Sequence, residues 1–139
     1  MSARLVVDSS ALCSLCFEDE RSEHSTALLE ALEGGEIWAP ALVLWEVGNV
    51  LLMAERRRRI SQAERVQALR LMNDLGLNLD PPSPEVVWNA VVALAEQTGL
   101  TSYDAAYLEL ALRLETPLAS RDQQLIEQAQ RLGVPLQPC

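Results

Sequence analysis

Short apolar runs alternate with longer helix-like segments along the whole chain, and this alternation constrains the fold more than any other feature. Strands that are separated by helices usually pair in parallel, with the helices packed on both faces of the sheet. The pattern therefore predicts an α/β/α sandwich whose mainly parallel sheet has four to five short strands. The predicted strands are residues 5–7, 36–38, 77–79, 117–119 and 134–136.

Turn and capping residues mark where the predicted helices begin and end. Ser61 with Glu64 three residues later forms the pattern of a capping box, which predicts a helix up to about residue 73. Pro40 suits the first turn of a long helix that runs to about residue 58. Gly99 and Gly133 each follow a helical stretch, where a residue in the left-handed conformation commonly ends a helix.

Composition limits the classes of protein to which the chain can belong. With 139 residues, 49% of them hydrophobic, the sequence predicts one folded domain over residues 1–139. A net charge of −9 argues against a protein that grips nucleic acid with its whole surface. All 11 basic residues are arginines. The absence of lysine excludes a P-loop and a Schiff-base enzyme.

No segment has the pattern of a signal peptide or of a membrane span. The longest apolar stretch, residues 37–53, contains Glu46 and Asn49 and fits a buried helix better. Three cysteines give an odd count, which favours a reducing, cytoplasmic setting. Cys13 and Cys16 have CxxC spacing, but the chain offers few soft partners for zinc, so we interpret them as small core residues. The three tryptophans are also expected in the core.

Four carboxylates lie at the edges of core segments or inside one of them. Asp8 and Asp122 follow predicted strands, Glu46 interrupts an apolar stretch, and Asp104 opens a helix-like segment. Burial of a charge is costly unless something compensates it, and a divalent cation compensates several carboxylates at once. Sites in parallel sheets form beyond the carboxyl ends of the strands. We therefore expect the four acids to meet at that edge.

Four segments in order resemble those of a known family, the PIN-domain ribonucleases, and above all the short VapC-type toxins of prokaryotic toxin–antitoxin pairs. The segments are residues 7–12 (VDSSAL), 46–51 (EVGNVL), 103–108 (YDAAYL) and 118–125 (LASRDQQL). The resemblance implies a PIN-like α/β/α sandwich. It also implies an active site built from the family's four acids, which match Asp8, Glu46, Asp104 and Asp122, together with a hydroxyl residue that matches Ser120.

The resemblance implies phosphodiester hydrolysis with Mg²⁺, or with Mn²⁺ in its place. Hard cations prefer oxygen ligands, lower the pKa of bound water and stabilise charge on phosphate oxygens. Asp8 and Asp104 are the leading direct ligands. Glu46 binds metal directly or through water, or orients the attacking water. Asp122 binds a second ion or supports the site from outside, and Ser120 hydrogen-bonds a ligand or the phosphate. Either one or two ions fit this sequence.

Each of these residues also has an interpretation that involves no metal. Asp104 and Asp122 suit the first turn of a helix, with Ser120 as an N-cap before Asp122. Glu46 suits an internal ion pair with an arginine. The arginines at residues 56–59 suit a solvated helix end, or a contact with RNA or with a partner protein.

We therefore expect a cytoplasmic, metal-dependent endoribonuclease that acts as the toxin of a toxin–antitoxin pair. Its expected partners are an RNA substrate, a cognate antitoxin and a second copy of the chain, with no membrane. The alternatives are a PIN-type RNA-processing nuclease without a toxin role and a catalytically silent PIN-fold binding module. The four acids argue against the last alternative.

Overall fold

Four parallel strands form the central sheet of the protein, for which a computed structural model describes residues 3–139. The spatial order is β3-β2-β1-β4, and every neighbouring pair is parallel. The predicted parallel sheet is thus confirmed. The predicted fifth strand at residues 134–136 reduces to an isolated parallel bridge between Leu118 and Leu136. The strands are β1 (Ala3–Val7), β2 (Gly35–Pro40), β3 (Asn78–Asp80) and β4 (Leu118–Ala119).

Helices connect the strands and cover the sheet, as expected for parallel crossovers. A 3₁₀ turn (Glu18–Glu20) lies between the first two helices, and a π-helical segment (Glu85–Val91) leads into the fifth. The predicted capping box of Ser61 and Glu64 is present, and Gly99 ends its helix with φ 76°. The helices are α1 (Ser9–Ser14), α2 (Glu23–Gly34), α3 (Val43–Arg56), α4 (Gln62–Asp74), α5 (Val92–Thr98), α6 (Ser102–Leu114) and α7 (Gln123–Arg131).

The prediction that Pro40 opens a helix is wrong, because Pro40 is the last residue of β2. The backbone N–H of Ala41 donates to the carbonyl of Asp80 at 3.1 Å, so the contact between the two chain segments continues beyond the proline. Registered pairing with β1 ends at Trp38, and proline is tolerated where a strand leaves its ladder. As a result, α3 begins only at Val43.

The core fills both faces of the sheet, with β1 at its centre. Val6 and Val7 of β1 are completely buried, and α6 packs against both β1 and β2. The expectation that all three tryptophans are core residues is wrong, since Trp45 is 73% exposed and Trp88 is 72% exposed. A helix buries only one stripe of side chains, and in α3 that stripe is Val43, Val47, Leu51 and Ala54.

The strand ends determine where a site can form. Asp8 follows β1, Ser120 follows β4, and α3 and α6 start close to that same edge of the sheet. This is the edge at which parallel sheets place their sites. Among residues 3–139, none of the helices is both long and apolar enough to cross a membrane.

Candidate active site

Asp8 is the most constrained of the predicted acids. It ends the β1 segment and caps α1, and its Oδ1 accepts hydrogen bonds from the backbone N–H of Ala11 at 2.9 Å and from the hydroxyl of Ser10 at 2.7 Å. Its Oδ2 accepts from the hydroxyl of Ser120 at 2.5 Å. With 4% of its surface exposed, Asp8 is held in one orientation by three donors.

Ser120 ties the end of β4 to the end of β1. Besides donating to Asp8, its Oγ accepts the backbone N–H of Asp122 at 3.0 Å. A second bond runs in the opposite direction, from the backbone N–H of Arg121 to the hydroxyl of Ser10 at 2.8 Å. The interpretation of Ser120 as an N-cap is wrong. Asp122 itself caps α7, because its Oδ1 accepts the backbone N–H of Leu125 at 2.9 Å.

Asp104 lies in the first turn of α6, which Thr101 caps by accepting the backbone N–H of Asp104 at 3.2 Å. Its position is central among the acids. The charge of Asp104 acts on both Asp8 and Glu46, and the charge of Asp122 acts on Asp104. The structure therefore brings all four predicted carboxylates into one electrostatically coupled group.

Glu46 projects from the first turn of α3 and has a hydrogen-bond partner that the sequence did not suggest. The hydroxyl of Tyr107, on α6, donates to Glu46 Oε1 at 2.5 Å. Within residues 3–139, no arginine forms an ion pair with Glu46, so the alternative interpretation of Glu46 as half of an internal ion pair is wrong.

Burial and mutual repulsion raise the pKa values of three of these acids. For Asp8, Glu46 and Asp104 desolvation by the surrounding protein is the main cause that raises the pKa, and a neighbouring carboxylate raises it further. The hydrogen bonds from Ser120 and Tyr107 oppose this effect on Asp8 and Glu46, respectively. Such a group is stabilised either by protons or by a cation, since the ionised forms repel one another.

The donor set fits a hard divalent cation. Across residues 3–139, no three His, Cys, Asp or Glu side chains already form a cage that could hold a metal ion. Mg²⁺ does not require such a cage, because it usually keeps several waters and takes only one or two carboxylates directly. The coupled carboxylates offer oxygen ligands of this kind.

The other predicted candidates lie outside this group. Arg59 pairs with Asp19 and Glu20 at 2.8 Å each and covers the ring of Phe17 at 3.8 Å, so it anchors the loop after α1. All three cysteines are free thiols. Burial raises the pKa of Cys13 to about 12, which keeps it protonated and unreactive, as expected of a small core residue.

Tyr107 was not among the residues predicted for the site, although its hydroxyl contacts Glu46. Burial, followed by the hydrogen bond to Glu46, raises the pKa of Tyr107, so the phenol stays protonated and acts as a donor. Two features of the sequence pointed to this contact. Tyr107 lies among apolar residues one helical turn after Asp104, and Glu46 lies in an apolar stretch where a carboxylate needs a hydrogen-bond partner.

Comparison with known proteins decides the family. The family model described as the PIN domain matches residues 5–131. The chain belongs to the PIN-domain family. Ribonuclease VapC3 of Pyrobaculum aerophilum is 33% identical to it over 111 residues, which cover 80% of this chain and 83% of that protein. This similarity confirms the resemblance to VapC-type members.

Solved structures of other proteins have the same architecture. PAE2754 from Pyrobaculum aerophilum aligns with a TM-score of 0.70 and 26% identity, over 92% of this chain and 86% of that one. VapBC2 from Rickettsia felis, in a structure with a DNA fragment from its promoter, aligns with a TM-score of 0.66 and 14% identity, over 96% of each chain. The second likeness concerns the fold alone.

Proposed function

We propose that this PIN-domain protein is a metal-dependent endoribonuclease that hydrolyses RNA phosphodiester bonds. The observation that carries the proposal is the coupling of four carboxylates through Asp104 at the carboxyl edge of the sheet. A relative that shares 33% identity over most of both chains is named Ribonuclease VapC3, which supports the same activity. Mg²⁺ is the proposed cofactor, with Mn²⁺ as a substitute.

The proposed role of each residue follows from its hydrogen bonds and its position. Asp8, fixed by three donors, and Asp104 supply the proposed direct ligands. Glu46 either binds the ion, directly or through water, or orients the attacking water. Asp122 serves a second ion or supports the first through its place at the start of α7. A metal bound there lowers the pKa of a coordinated water and stabilises negative charge on phosphate oxygens.

Cleavage of a mixed tRNA and rRNA pool by purified protein tests this activity. The reaction is run with Mg²⁺, with Mn²⁺ and with EDTA, beside an Asp8→Asn variant that keeps the shape of the side chain. Discrete products that require metal and disappear in the variant are expected. Equal products from the variant, or products that persist in EDTA, would sink the proposal.

We further propose that the protein is the toxin of a toxin–antitoxin pair and that a cognate antitoxin inhibits it. An apolar cavity of about 340 Å³ lies among α1, α3 and α4, where its walls include Leu12, Val47, Leu69 and Met72. Such a groove suits an apolar segment of a partner chain. The net charge of −9 favours an antitoxin that also carries basic residues.

Expression of the chain alone tests the toxin role. Growth arrest is expected, together with relief by Asp8→Asn and by co-expression of a small DNA-binding protein from a neighbouring gene. Normal growth with abundant folded, RNA-cleaving protein would favour an RNA-processing nuclease instead.

A second copy of the chain is the third proposed partner. Trp45 and Trp88 are largely exposed, and Trp45 forms part of the wall of an apolar cavity of about 240 Å³ that also includes Val87 and Tyr103. Exposed aromatic surface next to a hollow suits a symmetric contact, in which each copy offers the same patch. Light scattering is expected to give twice the mass of a single chain, and Trp45→Asp is expected to halve it. A monomeric wild-type protein would contradict this proposal.

A further inference from the structure

Tyr107 connects two helices at the point where both enter the site. Glu46 lies in the first turn of α3 and Asp104 in the first turn of α6. Tyr107 follows Asp104 by three residues, and residues three apart lie on the same face of a helix. Two groups of α6 therefore act on Glu46, namely the charge of Asp104 and the hydroxyl of Tyr107.

We propose that Tyr107 is a positioning residue for Glu46, whose Oε1 it holds so that the remaining carboxylate oxygen serves the metal or the attacking water. The inference rests on the proposed metal-dependent function and adds a residue to it. The bond spans 61 positions in sequence and measures 2.5 Å between Tyr107 Oη and Glu46 Oε1. A long, half-exposed glutamate side chain would otherwise sample several rotamers.

Packing of the core does not require the hydroxyl of Tyr107. Only 1% of the surface of Tyr107 is exposed, and the ring of a phenylalanine would fill the same space. A buried hydroxyl is costly unless it is hydrogen-bonded, so a tyrosine here needs an acceptor, and Glu46 is the one it has. Partners outside the direct ligands of a metal commonly orient those ligands in this way.

The binding of Mn²⁺ to metal-free protein tests the inference, with free Mn²⁺ measured by electron paramagnetic resonance. Tyr107→Phe removes one hydroxyl and is expected to weaken Mn²⁺ binding by about 10-fold or more, the usual effect of losing such a partner. Ser14→Ala is the matched control, since the buried hydroxyl of Ser14 donates to the carbonyl of Ala11 at 2.6 Å rather than to a carboxylate. It is expected to leave Mn²⁺ affinity unchanged.

A second background separates positioning from a merely structural effect. If Tyr107 acts through Glu46, then Tyr107→Phe has no further effect on Mn²⁺ affinity once Glu46→Gln is present. An equal loss in both backgrounds, or no loss in the wild-type background, would overturn the inference while leaving the proposed function intact. Wild-type protein that binds no Mn²⁺ and cleaves no RNA would overturn the proposed function, and the inference with it.

A spectroscopic measurement does not depend on how well Tyr107→Phe folds. The chain has 2 tyrosines, so 3-fluorotyrosine in a Tyr103→Phe protein labels position 107 alone. The ¹⁹F resonance is expected to move as Mg²⁺ is added. Bound Mg²⁺ is also expected to raise the melting temperature, and both changes should have the same midpoint. In a Glu46→Gln protein the resonance should stay still at that concentration. A resonance that ignores Mg²⁺ in the wild-type background contradicts the inference.

Discussion

The hydroxyl of Ser120 sets the orientation of Asp8. It donates to Asp8 Oδ2 at 2.5 Å and is itself fixed by the backbone N–H of Asp122. A single side chain thus aligns one proposed ligand and the start of the helix that carries another. This arrangement gives Ser120 a function that its burial alone does not explain.

Replacement of Ser120 by alanine is expected to lower kcat/KM for RNA by about 10- to 100-fold, because Asp8 loses a donor that orients it. Ser14→Ala is the matched control. Its hydroxyl is also buried but donates within α1, to the carbonyl of Ala11 at 2.6 Å, rather than to a carboxylate. Steady-state cleavage of a defined RNA checks both variants, and an equal loss in the two would assign Ser120 to stability alone.

Asp104 is expected to stabilise the metal-bound protein and to destabilise the metal-free one. In EDTA, Asp104→Asn removes a partly buried charge that repels Asp8 and Glu46, so the melting temperature is expected to rise. The rise that Mg²⁺ causes in wild-type protein should largely disappear in the variant. Glu127→Gln, which replaces an exposed acid of α7, serves as the control. Its free energy of unfolding is expected to differ from that of wild-type protein by less than about 0.5 kcal/mol.

At the scale of elements, the contact between β1 and β2 leaves no room for a side chain at Gly35. A Cβ there would overlap the carbonyl oxygen of Ala3, which belongs to the paired strand. Gly35→Ala is expected to lower the free energy of unfolding by about 1–3 kcal/mol, the range for overpacking. A Cβ on Gly34 would meet nothing within 4 Å, so Gly34→Ala is the control. Chemical denaturation measures both, and equal stability of the two variants would contradict the predicted clash.

Local sequence signals predicted those elements that depend on neighbouring residues. The capping box of Ser61 and Glu64 and the left-handed Gly99 need only their own helix to form, and both are present. Pro40 was misassigned because the backbone that it meets, at Asp80, lies 40 positions away in sequence. Helix propensity alone carries no information about that pairing.

In the candidate site as well, the sequence predicted what depends on neighbouring residues and missed what depends on distant ones. Carboxylates that follow strands are expected at the carboxyl edge of a parallel sheet, and Asp8 and Asp122 could be placed there from the sequence. The partner of Glu46 could not, because Tyr107 reaches it from α6, 61 positions away in sequence. The exposure of Trp45 also depends on which stripe of α3 faces the core, and the many apolar residues on either side of Trp45 concealed that stripe.

For the whole molecule, the raised pKa values of Asp8, Glu46 and Asp104 set a pH dependence of stability. A carboxyl whose pKa is higher in the folded than in the unfolded protein binds more protons when folded. Its stabilising contribution is complete below the ordinary pKa and is lost as the pH rises through the raised value.

In EDTA, the stability of wild-type protein relative to Asp104→Asn is therefore expected to fall as the pH rises from the ordinary values, 3.8 for Asp and 4.5 for Glu, towards neutrality. Comparison with the variant cancels the other carboxyls, such as Asp80, which pairs with Arg113. Thermal melts across this pH range measure the difference. Saturating Mg²⁺ should reverse its sign near neutral pH, and a difference that is independent of both pH and Mg²⁺ would argue against coupled carboxylates.

In the proposed active site, carboxylates from four separate segments of this PIN domain hold a metal ion. The most direct measurement is the anomalous difference map of a crystal grown with millimolar Mn²⁺. We predict a peak about 2.1 Å from an oxygen of Asp8 or Asp104, and its absence from crystals of Asp8→Asn. The absence of a Mn²⁺ peak near these residues, whether or not peaks occur elsewhere on the molecule, would contradict the proposed metal site.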